Sequence, residues 1–126
     1  MRGISKSFPG VKALDNVGFT VAEGEVRALV GENGAGKSTL MKILNGNYKK
    51  DCGDILIDGE VVNITNPQVA DSLGITIIFQ ELNLVDDLSI AENIFAGRLS
   101  SKGKLVNWKE INEKAKQLLE RVSFQT

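Results

Sequence analysis

Residues 31 to 40 read GENGAGKSTL, and they meet the spacing G-x-x-x-x-G-K-[ST] at Gly31, Gly36, Lys37 and Ser38. Each position has a mechanical reason. Glycines let the backbone curl so that successive N–H groups point inward at phosphate oxygens, and a helix starting near Lys37 aims the positive end of its dipole at the same point. Lys37 reaches the β- and γ-phosphates as a point charge. Ser38 supplies a hydroxyl to the magnesium ion that bridges those phosphates, because Mg²⁺ prefers oxygen ligands and takes only one or two of them from protein. Asn33, Gly34, Ala35 and Thr39 add backbone or hydroxyl donors around the same anion.

The flanks supply the strand and the helix that such a loop needs. Upstream, VGFTV, a turn at Ala22-Glu23-Gly24 and EVRALVG predict a hairpin over Val17 to Gly31 whose second strand runs into the loop. Downstream, Lys37 to Leu44 places Leu40, Ile43 and Leu44 on one helical face and stops near Gly46. GDILIDGEVVNI clusters apolar residues around Asp58-Gly59 and predicts a second hairpin. Asn66 as a cap, Pro67 at the first helical position and Gly74 as a stop bound a helix, and ITIIF reads as a buried strand after it. Strand and helix alternate, as in an α/β protein. Past Gln80 the character changes: ELNLVDDL is loop-like, Ser89 to Glu92 form a capping box that opens a short helix ending at Gly97, RLSSKGKLV is a polar linker, and Asn107 opens a last helix with Trp108, Ile111, Ala115, Leu118, Leu119 and Val122 at helical spacing.

Composition narrows the function classes. With 126 residues, 42% of them hydrophobic, the chain carries one domain's worth of core. Lys and Arg number 15 against 16 Asp and Glu, with no long run of one sign and few aromatics, so no footprint for nucleic acid is visible. Cys52 is the single cysteine, which excludes an internal disulfide and a thiolate metal cluster. No run approaches the length of a membrane span.

The glycine loop alone does not choose among kinases, GTPases and transport ATPases. The flanks do, because SKSFPGVKALDNVGFTVAEGEVRALVGENGAGKSTLMKIL, then GDILIDG, then GITIIFQELNLVDDLSIAENIFAGR, resembles the ATP-binding subunit of ABC transporters over nearly the whole chain. Within that superfamily, the loop together with QELNLVDDLSIAENIFAGR and VNWKEINEKAKQLL looks most like the first ATPase half of monosaccharide importers of the ribose or galactose type. Nucleoside-type importers are the second reading. The resemblance implies an α/β P-loop ATPase fold, incomplete over these 126 residues, with the nucleotide-binding core and an antiparallel β-subdomain over 1–80 and the Q-loop and start of a helical subdomain over 81–126.

By position, the resemblance makes Phe8 the aromatic that stacks on adenine. Gln80 becomes the Q-loop glutamine, which approaches magnesium and the attacking water and links the nucleotide site to the membrane subunit. The cofactors implied are ATP and Mg²⁺. The partners implied are a second ATPase half, permease subunits and a solute-binding protein, with the protein peripheral on the cytoplasmic face of the plasma membrane. The family's LSGGQ-type run, Walker B carboxylates and switch histidine have no counterpart in this sequence, which contains no histidine. The sequence is therefore expected to be the N-terminal part of a longer ATPase, binding nucleotide without turning it over, and an association module is the competing reading. ILIDGE imitates a Walker B strand loosely, but its Asp-Gly pair favours a hairpin. In the family another strand lies between the loop's strand and the one ending at Gln80, so both are expected to keep unpaired edges here. A GTPase reading lacks the guanine-reading N-K-x-D.

Overall fold

The computed structural model describes residues 1–80, 84–97, 101–102 and 105–122. The chain divides into two compact units, Met1–Ile78 and Phe79–Thr126.

In the first unit, β1 (Arg2–Phe8), β2 (Val11–Val17), β3 (Cys52–Ile57) and β4 (Glu60–Val62) form one antiparallel sheet in the order β2-β1-β3-β4. The β3-β4 turn is the expected one: Asp58 and Gly59 both take positive φ, 51° and 86°, as a two-residue hairpin of matching twist requires. The β1-β2 hairpin was not anticipated from the sequence. Its turn is Pro9-Gly10, a dipeptide that marks tight turns and was the available signal.

Two helices pack beside this sheet. The first, α1 (Lys37–Leu44), buries Leu40 and Ile43, the face its spacing predicts. The second, α2 (Pro67–Ser72), starts at Asn66, whose side chain accepts from the Val69 N–H at 2.9 Å, with Pro67 where a missing N–H costs nothing. Ile4, Leu14, Leu40, Ile43, Ile55, Ile64 and Ala70 make the core. Sheet and helices therefore share one apolar interior.

Two expected strands do not form. Glu25 to Gly31 and Ile75 to Phe79 join no ladder among the described residues, although the turn before the first is present, with Glu25 N–H donating to the Ala22 carbonyl at 3.1 Å. VGFTV is likewise not a strand beyond Val17, where β2 ends. The reason is the cost of an unpaired backbone: an apolar run becomes a strand only when a neighbour takes its N–H and C=O groups. Some of their side chains show the same want of a neighbour, with Val26 100%, Val30 88% and Ile78 96% exposed, while Ile75 packs against the main core.

In the second unit, α3 (Ile90–Ile94) opens on the expected capping box. Ser89 Oγ accepts from the Glu92 N–H at 3.3 Å, and Glu92 Oε2 accepts from the Ser89 N–H at 2.8 Å. Within the stretch read as a linker, β5 (Ser101–Lys102) pairs with β6 (Leu105–Val106). Then α4 (Trp108–Arg121) starts at Asn107, which accepts from the Glu110 N–H. Ala91, Ile111 and Ala115 form a small core, with Phe95 and Val106 against it. Trp108, Leu118 and Val122, read as part of the buried stripe, are exposed instead.

Candidate phosphate-binding loop

The loop from Gly31 to Gly36 ends as the helix N-cap, and Gly36 takes a left-handed φ of 83° that an L side chain rarely adopts. No side chain caps α1. Its first helical bond is Leu40 N–H to the Gly36 carbonyl at 2.9 Å, so the N–H groups of Lys37, Ser38 and Thr39 have no acceptor within the helix. They face the loop at the positive end of the dipole, which is the arrangement an anion stabilises. A turn in which Ala35 N–H donates to the Glu32 carbonyl at 3.2 Å holds the loop closed behind them.

Lys37 folds over this loop. Its ammonium donates to the Gly31 carbonyl at 2.6 Å and to the Glu32 carbonyl at 2.7 Å. Two neutral acceptors hold the cation at the loop mouth without neutralising it, so its charge stays available to a phosphate. Ser38 is exposed one residue into the helix, and Gly34 and Asn33 are exposed on the loop.

The loop is also braced from below. A Cβ placed on Gly36 would stand 2.5 Å from the Ala13 carbonyl oxygen and 2.7 Å from Leu14 Cδ2, so β2 runs directly under the loop's end. Phe8, where β1 ends, is 36% exposed and meets Tyr48 edge-to-face with ring centroids 5.3 Å apart. It is thus a half-covered surface ring and not a core residue of the sheet. Tyr48 was not singled out in the sequence, and no spacing rule connects it to Phe8. Gln80 lies in the second unit and is exposed.

The donor set fits a polyphosphate: three N–H groups with no acceptor among the described residues, an ammonium held only by neutral carbonyls and a hydroxyl belong to a loop and helix start with no acidic side chain but Glu32. Among the described residues, no group of three or more His, Cys, Asp or Glu could hold a metal by protein ligands alone. An ion such as Mg²⁺, which keeps its waters and leans on phosphate oxygens, is the kind of metal that Ser38 suits.

Residues 14–126 match the ABC transporter family. The chain belongs to that family. It is 54% identical over 127 residues to an L-arabinose transport ATP-binding protein of Geobacillus stearothermophilus, covering 99% of this chain and 25% of that protein. A xylose import ATP-binding protein of Thermoanaerobacter pseudethanolicus is 52% identical, covering 98% and 25%. A ribose import ATP-binding protein of Clostridium perfringens is 54% identical, covering 97% and 25%. The chain therefore spans about a quarter of the length of these curated relatives. Among solved structures, a nucleotide-free ATP-binding cassette from an ABC transporter superposes with a TM-score of 0.82 at 29% identity, over 98% of this chain and 53% of that one. The α/β fold class of an ABC ATPase stands on that likeness, and the antiparallel sheet β2-β1-β3-β4 is the larger of the two sheets laddered among the described residues. No helix among the described residues is long and apolar enough to cross a membrane.

Proposed function

We propose that this chain forms the nucleotide-binding part of the ATPase that drives a monosaccharide importer. The observation that carries the reading is the loop itself: a helix start with no side-chain cap, and the Lys37 ammonium folded onto the Gly31 and Glu32 carbonyls of the same loop, in a chain whose named relatives are arabinose, xylose and ribose transport ATP-binding proteins.

In this reading Gly31, Asn33, Gly34, Ala35, Gly36, Lys37, Ser38 and Thr39 hold the phosphates of ATP. Backbone N–H groups orient the chain of phosphates, and Lys37 exchanges its two carbonyl acceptors for phosphate oxygens. Ser38 supplies a protein oxygen toward Mg²⁺, which when bound would neutralise phosphate charge. Phe8 stacks on the base. Gln80, at the start of the second unit, carries the state of the nucleotide toward permease subunits, and residues 81–126 open the part that faces them. The whole protein pairs with a second ATPase half, works with permease and solute-binding subunits and sits on the cytoplasmic face of the membrane. ATP turnover belongs to that whole, because no general base toward the terminal phosphate is assigned among these residues.

Calorimetric titration of Mg-ATP into the purified chain tests the reading, with Lys37→Ala beside it. Saturable binding in the wild type, weakened at least about tenfold in the variant, is the expected result; a tenfold change corresponds to roughly 1.4 kcal/mol, within what one charge-assisted contact supplies. Equal binding by both chains overturns the loop's role. Steady phosphate release above the Lys37→Ala background overturns the statement that these residues bind without turnover.

A further inference from the structure

Phe8 ends its strand half-exposed, and the terminal torsion of a phenyl ring is broad, so a ring in that position has no plane of its own. Here its plane is set by a neighbour. Tyr48 meets it at 71° with centroids 5.3 Å apart, the edge-to-face geometry that ring quadrupoles favour. Tyr48 is in turn tied to α1: its N–H donates to the Lys42 carbonyl at 3.1 Å, Lys42 Nζ stands 5.4 Å from its ring centroid, and its ring packs on the main core. A second brace comes from β1 itself. Lys6 Nζ lies 5.5 Å from the Phe8 centroid while donating to Asp51 Oδ1 at 2.7 Å, and Asp51 Oδ2 accepts from the Ser7 N–H at 2.7 Å. The helix that Lys37 opens thus holds, at its other end, the ring that orients Phe8.

We propose that Tyr48 is a positioning residue for nucleotide binding: it fixes the Phe8 ring plane relative to the phosphate loop, so that base and phosphates are received by one preorganised body. The inference rests on the reading of Phe8 as the base-stacking residue. Ordering a side chain on binding costs affinity, and a ring held beforehand avoids that cost. The latch acts on the base alone and leaves the phosphates to the loop.

Affinities for Mg-ATP and for Mg-tripolyphosphate, measured on the full chain, separate the two contributions, since tripolyphosphate has no base to stack. The wild type is expected to prefer ATP, and Phe8→Ala to lose that preference. Tyr48→Leu is expected to lose about three- to tenfold of it, the range an aromatic pair supplies, with tripolyphosphate affinity unchanged. Tyr48→Phe keeps the ring and is expected to keep the preference. If Tyr48→Leu does not fold, Tyr48→Met, a flexible filler of the same half-buried space, takes its place in the comparison. A Tyr48 variant with the preference intact, beside a Phe8→Ala that loses it, overturns the latch and leaves the Phe8 reading standing. Equal loss toward both ligands overturns it too, since Tyr48 would then act only through the stability of the core. Phe8→Ala with its preference intact, or a wild type that binds neither ligand, overturns the Phe8 reading and the latch together.

Discussion

Gly36 lies so close to Ala13 that a Cβ on the glycine would stand 2.5 Å from the Ala13 carbonyl oxygen. The backbone of β2 is therefore the floor on which the end of the phosphate loop rests. Because Gly36 also holds a φ of 83°, both its conformation and its lack of a side chain are used.

Gly36→Ala is expected to be the more damaging of two chemically equal changes. Gly34 has a similar φ of 86° but open space around it, so Gly34→Ala meets only the left-handed strain of about 1–2 kcal/mol. Gly36→Ala adds a clash with backbone that cannot rotate away, and overpacking costs roughly 1–3 kcal/mol more. Urea unfolding of the two variants side by side checks the order; equal midpoints would show that β2 does not support the loop.

Ile43 and Val26 predict opposite outcomes for similar truncations. Ile43 is 1% exposed in the main core, so Ile43→Ala is expected to cost about 2–5 kcal/mol. Val26 is fully exposed, so Val26→Ala is expected to stay within about 0.5 kcal/mol. The urea midpoint reads both, and a large loss at Val26 would mean that its segment is covered in solution.

Val26, Val30 and Ile78 place apolar side chains on two segments that have no ladder partner among the described residues. Replacing Val26 and Ile78 together by lysine is expected to lower concentration-dependent association and leave the unfolding midpoint in place, since charges on an unpaired strand discourage edge-to-edge pairing. Light scattering against protein concentration reads the effect. Unchanged association in the double variant would move the sticky surface elsewhere.

Asp51 gives a pH dependence of known sign. The hydrogen bond from Lys6 Nζ and the one from the Ser7 N–H hold its carboxyl below the ordinary aspartate value of about 4. A folded value lowered in this way contributes stability that is fully present above the ordinary value and is lost as pH falls through the lowered one. The brace beside Phe8 is therefore expected to hold at neutral pH and to loosen only in acid. The unfolding midpoint of Asp51→Asn relative to wild type should show a gap at pH 7 that narrows on acidification below about pH 4; a gap independent of pH would rule out the charge as its source.

What this sequence determined by itself is set mostly by local causes, the Pro9-Gly10 turn being a local signal that was missed. The loop from Gly31 to Thr39, the Asp58-Gly59 turn, the Asn66-Pro67 start of α2, the Ser89–Glu92 box and the Asn107 cap were legible, because each is set by residues within a few positions of one another. Long-range pairing was legible only in part. Glu25 to Gly31 and Ile75 to Phe79 have strand composition, yet a strand is a relation between two segments, and composition cannot show whether the second is there. The tertiary structure alone decided that Ala13 would lie under Gly36, and that Tyr48, beyond the end of α1, would meet Phe8 at the end of β1. Both contacts depend on how sheet and helix dock across the core, a choice made by the summed burial of Ile4, Leu14, Leu40, Ile43 and Ile55 and by no pattern in any one segment.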